Sequence, residues 1–197
     1  MRYLALGDSY TIGESVSERE RFPIQLGSLL AEEGYPTNVK IIARTGWTTS
    51  ELWEGIQSES LDPPYDLVSL LIGVNNQYRG YDSKQYREEF RFLLGKAVEY
   101  AGGDGNRVFV FSIPDWGVTP YAAGRDSAQI ATEIDLFNSI NREEADLAGV
   151  HYLDITPISR KAADDPSLIA ADGLHPSGSM YARWAALAFP DVLEVLK

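Results

Sequence analysis

The sequence predicts an α/β protein: a three-layer α/β/α sandwich on a doubly wound parallel sheet of about five strands, flavodoxin-like in size. Two observations carry this expectation. Short β-like runs alternate with helical patterns along the chain, and parallel strands need such crossovers. The runs themselves are almost continuously apolar, as strands covered on both faces are. The length of 197 residues fits one domain spanning 1–197.

Each element has its own local reason. The first strand is Tyr3–Leu6. A helix starts near Pro23, whose fixed φ and missing N–H suit a first turn; Leu26, Leu29 and Leu30 give it an apolar face, and Gly34 and Pro36 end it. Val39–Ala43 is the second strand. Thr48-x-x-Glu51 is a capping box, in which side chains and backbone at a helix start satisfy each other, and Leu52 and Ile56 continue that helix. Leu67–Ile72 is the third strand. Tyr86, Phe90, Leu93, Leu94, Ala97 and Val98 share one helical face, and Ile130, Ile134 and Phe137 do the same beyond the fourth strand, Val108–Ile113. The fifth strand is Val150–Ile155. A last helix opens after Pro176, carries Tyr181, Trp184 and Leu187, and is expected to be interrupted at Pro190, which lacks an N–H.

Composition narrows the function classes. With 44% hydrophobic and 23% charged residues, the chain reads as folded and not disordered. Its longest apolar runs, Leu70–Val74 and Trp184–Phe189, fall far short of the roughly 18 residues a membrane helix needs, so no integral membrane segment is expected. A net charge of -12 repels phosphate backbones and argues against nucleic acid as a partner. Cysteine is absent, which removes disulfides, thiolate nucleophiles and thiolate metal sites. With two histidines and no His-Glu-x-x-His, no metal and no cofactor are expected. Imidazole chemistry falls to His151 or His175. The N-terminus reads as a strand and not as a secretory leader, which gives a cytoplasmic expectation.

In doubly wound sheets ligands bind beyond the carboxyl ends of the strands. After the first strand stands Gly7-Asp8-Ser9-Tyr10-Thr11-Ile12-Gly13; after the second, Arg44-Thr45-Gly46-Trp47; after the third, Gly73-Val74-Asn75-Asn76-Gln77. Past the fifth, ahead of the last helix, lies Asp172-Gly173-Leu174-His175-Pro176. The set holds a hydroxyl, backbone N–H groups, a carboxamide, a carboxylate and an imidazole, which are the parts of a serine hydrolase.

These four segments, in this order, resemble those of the SGNH hydrolases, also called the GDSL esterase/lipase family, over nearly the whole chain from Gly7 to Pro176. The resemblance implies a serine-dependent carboxylic ester hydrolase that works through an acyl-enzyme on a small-molecule ester, in the manner of lysophospholipases, thioesterases or acetylesterases. Carried over position by position, Ser9 is the nucleophile, His175 the base and Asp172 its orienter. The N–H of Ser9, Gly46 and Asn75 supply the oxyanion hole. One position departs: family members often have Asp directly after the third-block Asn, and here Asn76 stands there. The Gly-x-Ser-x-Gly elbow of α/β-hydrolases is absent.

Tyr10, Trp47, Tyr78, Trp116 and Tyr121 lie beside these segments, and Trp47, Tyr78 and Trp116 are the substrate-binding candidates for an acyl chain, aryl group or sugar ring. Asp8 reads as a structural acceptor of turn N–H groups. His151 reads as a strand residue, Arg79 as a surface cation, and Glu143-Glu144 and Asp164-Asp165 as solvated faces. The alternative function is a flavodoxin-like nucleotide or flavin binder, or a non-catalytic ligand-binding protein. The hydroxyl-rich run Ser9–Ser15 offers hydrogen bonds to a phosphate, while the net charge, Asp8 and Glu14 oppose it. A phosphoacceptor domain needs Asp at the end of the third strand, where Asn75 and Asn76 stand.

Overall fold

Five parallel strands form one sheet in the order β2-β1-β3-β4-β5. The computed structural model describes all residues, Met1–Lys197. In chain order the elements are β1 (Arg2–Gly7), α1 (Ser9–Ile12), α2 (Phe22–Glu32), β2 (Asn38–Ala43), α3 (Thr49–Gln57), β3 (Leu67–Leu71) and α4 (Val74–Tyr78). Then follow α5 (Ser83–Tyr100), β4 (Val108–Phe111), α6 (Ser127–Ala148), β5 (His151–Leu153), α7 (Thr156–Arg160) and α8 (Gly178–Val195).

Right-handed crossovers decide which helix covers which face. The chain moves from β1 outward to β2, then reverses across β1 to β3, β4 and β5. Reversal places α3, α5 and α6 on the face opposite α2, and α8 returns to pack beside α2. On that side Phe22 of α2 meets Phe111, Tyr181 and Trp184 with ring centroids 4.8, 6.3 and 6.0 Å away. Across the sheet, Tyr86 of α5 packs on Phe137 of α6 at 4.3 Å. These rings are buried, and burying each aromatic side chain stabilises the fold by roughly 1.5–3 kcal/mol.

The register of β1 is what assembles a site. Gly7 pairs with Ala43 on one side and with Leu71 on the other, so three strands end level. The chain leaving each of them runs into one crevice, the switch point where the strand order reverses. Only glycine fits at the end of β1: a Cβ on Gly7 would lie 2.1 Å from Thr11 Oγ1 and 2.4 Å from the Leu71 carbonyl oxygen.

Several elements differ from the sequence expectation. Helix α8 runs through Pro190 to Val195. Pro190 and Ala186, whose carbonyl loses its partner, both face solvent, where water replaces the bond. The segments after β1, β3 and β5 open as the short helices α1, α4 and α7. Strand β5 stops at Leu153 because Ser112 Oγ takes the N–H of Ile155 and Thr156 at 2.8 and 3.0 Å. Glu144 is not solvated: it is 2% exposed, held by Arg87 at 2.8 Å and by Arg91 at 2.7 Å from α5. Two guanidinium groups outweigh its burial and lower its carboxyl pKa. His151 opens β5 and stacks on Phe109 at 4.4 Å. No helix is long and apolar enough to cross a membrane.

Candidate active site

A cleft of about 500 Å³ opens above the ends of β1, β2 and β3. Ser9, Gly46, Asn75 and His175 all line it, together with Tyr10, Thr45, Val74, Tyr78, Trp116, Tyr121 and Leu174. No Lys, Arg, Asp or Glu is in that wall. Segments far apart in sequence thus meet as the strand ends imply.

Ser9 is the first residue of α1, and Asp8 is its N-cap, accepting the Tyr10 N–H at 3.0 Å. A first-turn N–H has no intrahelical acceptor, so the Ser9 N–H remains free for a ligand. Asp8 is wholly buried and its Oδ2 has no hydrogen-bond partner. Burial pushes its carboxyl up to about 7, against the Tyr10 N–H, which pulls it down.

Gly46 sits at φ +87° in the turn closed by the Trp47 N–H to the Arg44 carbonyl at 3.2 Å. Its own N–H is outside that bond, and the left-handed backbone favours glycine there. Arg79 donates to the Gly46 carbonyl at 2.6 Å and pairs with Glu51 at 3.2 Å. Rather than a free surface cation, Arg79 therefore ties the Gly46 turn to the start of α3.

Asn75 lies in the first turn of α4, and its Nδ2 donates to the Trp47 carbonyl at 2.9 Å. That amide nitrogen carries a second N–H. Trp47 itself does not line the cleft, contrary to expectation. Its ring packs on α3 at Gly55, where an added Cβ would come within 2.1 Å of it. The notch left by a helix-interior glycine draws the indole away, and only the Trp47 backbone reaches the site.

Asn76 is fully buried. Its Oδ1 accepts the Thr49 N–H at 3.1 Å, and its Nδ2 donates to Thr49 Oγ1 at 2.7 Å. The Thr49 hydroxyl in turn donates to Glu89 of α5. The amide thus keeps the acceptor role a carboxylate has at a helix start, and the negative charge lies one bond further out, on Glu89.

Asp172 and His175 come from a tight turn before α8. The Ala170 N–H bonds to the His175 carbonyl at 2.7 Å, and Ile169 bridges Pro176. His175 Nδ1 lies 2.6 Å from Asp172 Oδ2, while Oδ1 receives the N–H of Leu174 and His175 at 2.9 and 3.0 Å. Ser15 Oγ donates to Oδ2 at 2.7 Å. Burial alone would raise the Asp172 carboxyl. The bonds from Ser15, His175 and the two backbone N–H groups overcome it and hold Asp172 well below the usual carboxylate range. The imidazole is 9% exposed and packs against Tyr10 edge-on, with ring centroids 5.6 Å apart.

Tyr78 and Trp116 line the cleft as expected, and Tyr121 joins them. The Tyr78 and Tyr121 hydroxyls are 3.1 Å apart, and Arg125 lies over the rings of Tyr78, Trp116 and Tyr121 at 5.1, 5.3 and 5.7 Å. Sequence reading missed Arg125 and the contact of Ser15 with Asp172. Arg125 follows an aromatic-rich stretch, which is the signal that could have found it. For Ser15 the sequence marks a hydroxyl-rich run but carries nothing that points it to Asp172.

The structure resembles several solved esterases. The psychrotrophic esterase EstA from Pseudoalteromonas sp. has 14% identity and a TM-score of 0.76, with 99% of this chain and 98% of that one covered. An acetylxylan esterase, Axe2 from Geobacillus stearothermophilus, has 17% identity and a TM-score of 0.75, covering 97% and 93%. The lipase/acylhydrolase from Enterococcus faecalis has 21% identity and a TM-score of 0.74, covering 97% and 94%. No curated protein sequence matches the chain. The model of the GDSL-like Lipase/Acylhydrolase family matches residues 5–183, nearly the whole sequence. The chain belongs to that family of carboxylic ester hydrolases.

Proposed function

We propose that the protein hydrolyses small, uncharged carboxylic esters through an acyl-enzyme on Ser9. The observation that carries this is that Ser9 and His175 line one cleft, with Asp172 bonded to the far ring nitrogen of His175 behind it. Ser9 Oγ attacks the ester carbonyl carbon while His175 Nε2 takes its proton. Asp172 fixes the tautomer by accepting from Nδ1 and stabilises the imidazolium that forms. The carbonyl electrons move onto oxygen, where the N–H groups of Ser9, Gly46 and Asn75 receive them. The alkoxide leaves with the imidazolium proton, a water then repeats the attack, and Ser9 regains its proton as the acid departs.

The uncharged, mostly aromatic and aliphatic wall supports neutral substrates. Acetylated sugars belong in the screen because Axe2 is an acetylxylan esterase and four aromatic residues, Tyr10, Tyr78, Trp116 and Tyr121, line this cleft. The phosphate-binding alternative loses part of its donor set, because the Ser15 hydroxyl is committed to Asp172. Hydrolysis of p-nitrophenyl acetate and butyrate by the purified protein is the test. Ser9→Ala is expected to abolish release of the chromophore. Equal rates for the two proteins would refute the mechanism.

A further inference from the structure

Ser15 is the only residue other than glycine with a left-handed backbone, at φ +65°. Such strain persists where surrounding contacts over-determine it. Here Ser15 Oγ reaches the Asp172 oxygen that also receives His175 Nδ1. The other three bonds to Asp172 come from its own turn, from Leu174 and His175. They fix the carboxylate within that turn but do not tie the turn to Ser9. Ser15 does, because it lies on the segment that leaves α1 and bridges 157 positions of sequence. The preceding residue, Glu14, accepts from Thr45 Oγ1 beside Gly46. Two adjacent side chains thus fasten the Ser9 segment to both other parts of the site.

On the serine-hydrolase reading above, we propose that Ser15 is a positioning residue whose hydroxyl holds Asp172, and through it the imidazole, in register with Ser9. The left-handed backbone is what points that hydroxyl at the carboxylate. The bond also draws charge from Oδ2, so its loss leaves a carboxylate that holds the imidazolium more strongly. Other titratable groups facing the pair are few. Tyr10 packs on the imidazole, Asp8 and Asp115 act on Tyr10, and Tyr181 lies within electrostatic reach of Asp172 and Glu14. All of them stay in place when the hydroxyl is removed.

Ser15→Gly and Ser15→Ala separate hydroxyl from backbone, because glycine adopts a positive φ without strain and alanine does not. Both are expected to lower kcat on p-nitrophenyl acetate about threefold to tenfold, the range of one net hydrogen bond, with little change in KM. In both, the NMR titration midpoint of His175 moves upward from its wild-type position, because the carboxylate facing it has lost a donor. His151, stacked on Phe109, is the internal reference. A glycine variant with wild-type kcat and an unmoved His175 midpoint overturns the proposal. So does a loss confined to the alanine variant, which would assign the effect to strain. If the wild type shows no Ser9-dependent hydrolysis, the reading of function fails, while the His175 titration still decides whether Ser15 acts on the pair.

Discussion

Asn75 Nδ2 donates to the Trp47 carbonyl at 2.9 Å, so the turn after β2 aims the carboxamide that follows β3. One of the two amide N–H bonds is spent on orientation, and the other is left for the cleft. On the proposed mechanism this division makes Asn75 a preorganised donor for the charge that develops on the carbonyl oxygen.

Replacing that donor tests its role. Asn75→Ala is expected to lower kcat by about 10²–10³ with KM little changed, the usual effect of deleting one oxyanion donor. Asn75→Asp should fall at least as far, since it removes both N–H groups and places a negative charge beside the oxyanion. Steady-state kinetics on a p-nitrophenyl ester reads both. An alanine variant within a few-fold of wild type would remove Asn75 from the oxyanion hole.

Asp172→Asn tests the other half of the site. Asparagine retains the size and an acceptor for the N–H of Leu174 and His175, but no carboxylate faces Nδ1 to fix the tautomer and stabilise the imidazolium. The expected fall in kcat is about 10²–10⁴; the upper end applies to fully buried partners, and Asp172 is 30% exposed. The fold should be retained, as judged by circular dichroism, while Tm falls because the stabilisation carried by the ionised carboxylate is lost. A variant that keeps most of its kcat would make Asp172 a mere turn residue.

Much of this arrangement was legible in sequence, for physical reasons. Strands covered on both faces announce themselves as apolar runs, and level strand ends bring Ser9, Gly46 and Asn75 together once the order of β2, β1 and β3 is assumed. Trp47 was misread because its ring follows a vacancy at Gly55, eight positions away, which no local pattern reveals. Glu144 was misread because the two arginines that bury it belong to another helix. Pro190 was misread as a break because its effect depends on whether Ala186 faces water. Ser15 was read only as a phosphate donor in a hydroxyl-rich run, since the strained φ that turns it to Asp172 is imposed by tertiary contacts. What escaped was decided by three-dimensional surroundings: which face meets water, which notch takes a ring, and which side chains pair across the fold.

Asn76 offers a test of charge placement. With Asn76→Asp, two carboxylates compete for the one Thr49 hydroxyl proton, and one of them is fully buried. Its carboxyl pKa is raised by burial and by Glu89, so the variant is near wild-type stability at low pH and loses it as pH rises through that value. At pH 8 the loss should be about 1–3 kcal/mol by urea unfolding. Adding Glu89→Gln should recover most of it, since a glutamine amide can donate to the Thr49 oxygen. If the double variant is no more stable than Asn76→Asp alone, Glu89 does not carry the missing charge.

Asp8 sets an opposite pH dependence from the other carboxylates. Its folded pKa is raised from 3.8 to about 7 by burial. Between those values the native protein keeps a proton that the unfolded chain releases, so stability falls as pH rises across this window. Taken at about 1.36 kcal/mol per unit, the full loss above pH 7 is of the order of 4 kcal/mol. Asp172 and Glu144, whose pKa values are lowered, act in the other sense: their contribution is present above the ordinary carboxylate range and is lost in acid. The Tm should therefore decline from pH 5 to about pH 7 and level off above it. In Asp8→Asn the amide oxygen still accepts the Tyr10 N–H and nothing titrates, so the decline should flatten. Parallel Tm profiles for wild type and Asp8→Asn would show that Asp8 is ionised in the folded state throughout, and that its burial is compensated by a partner of its Oδ2.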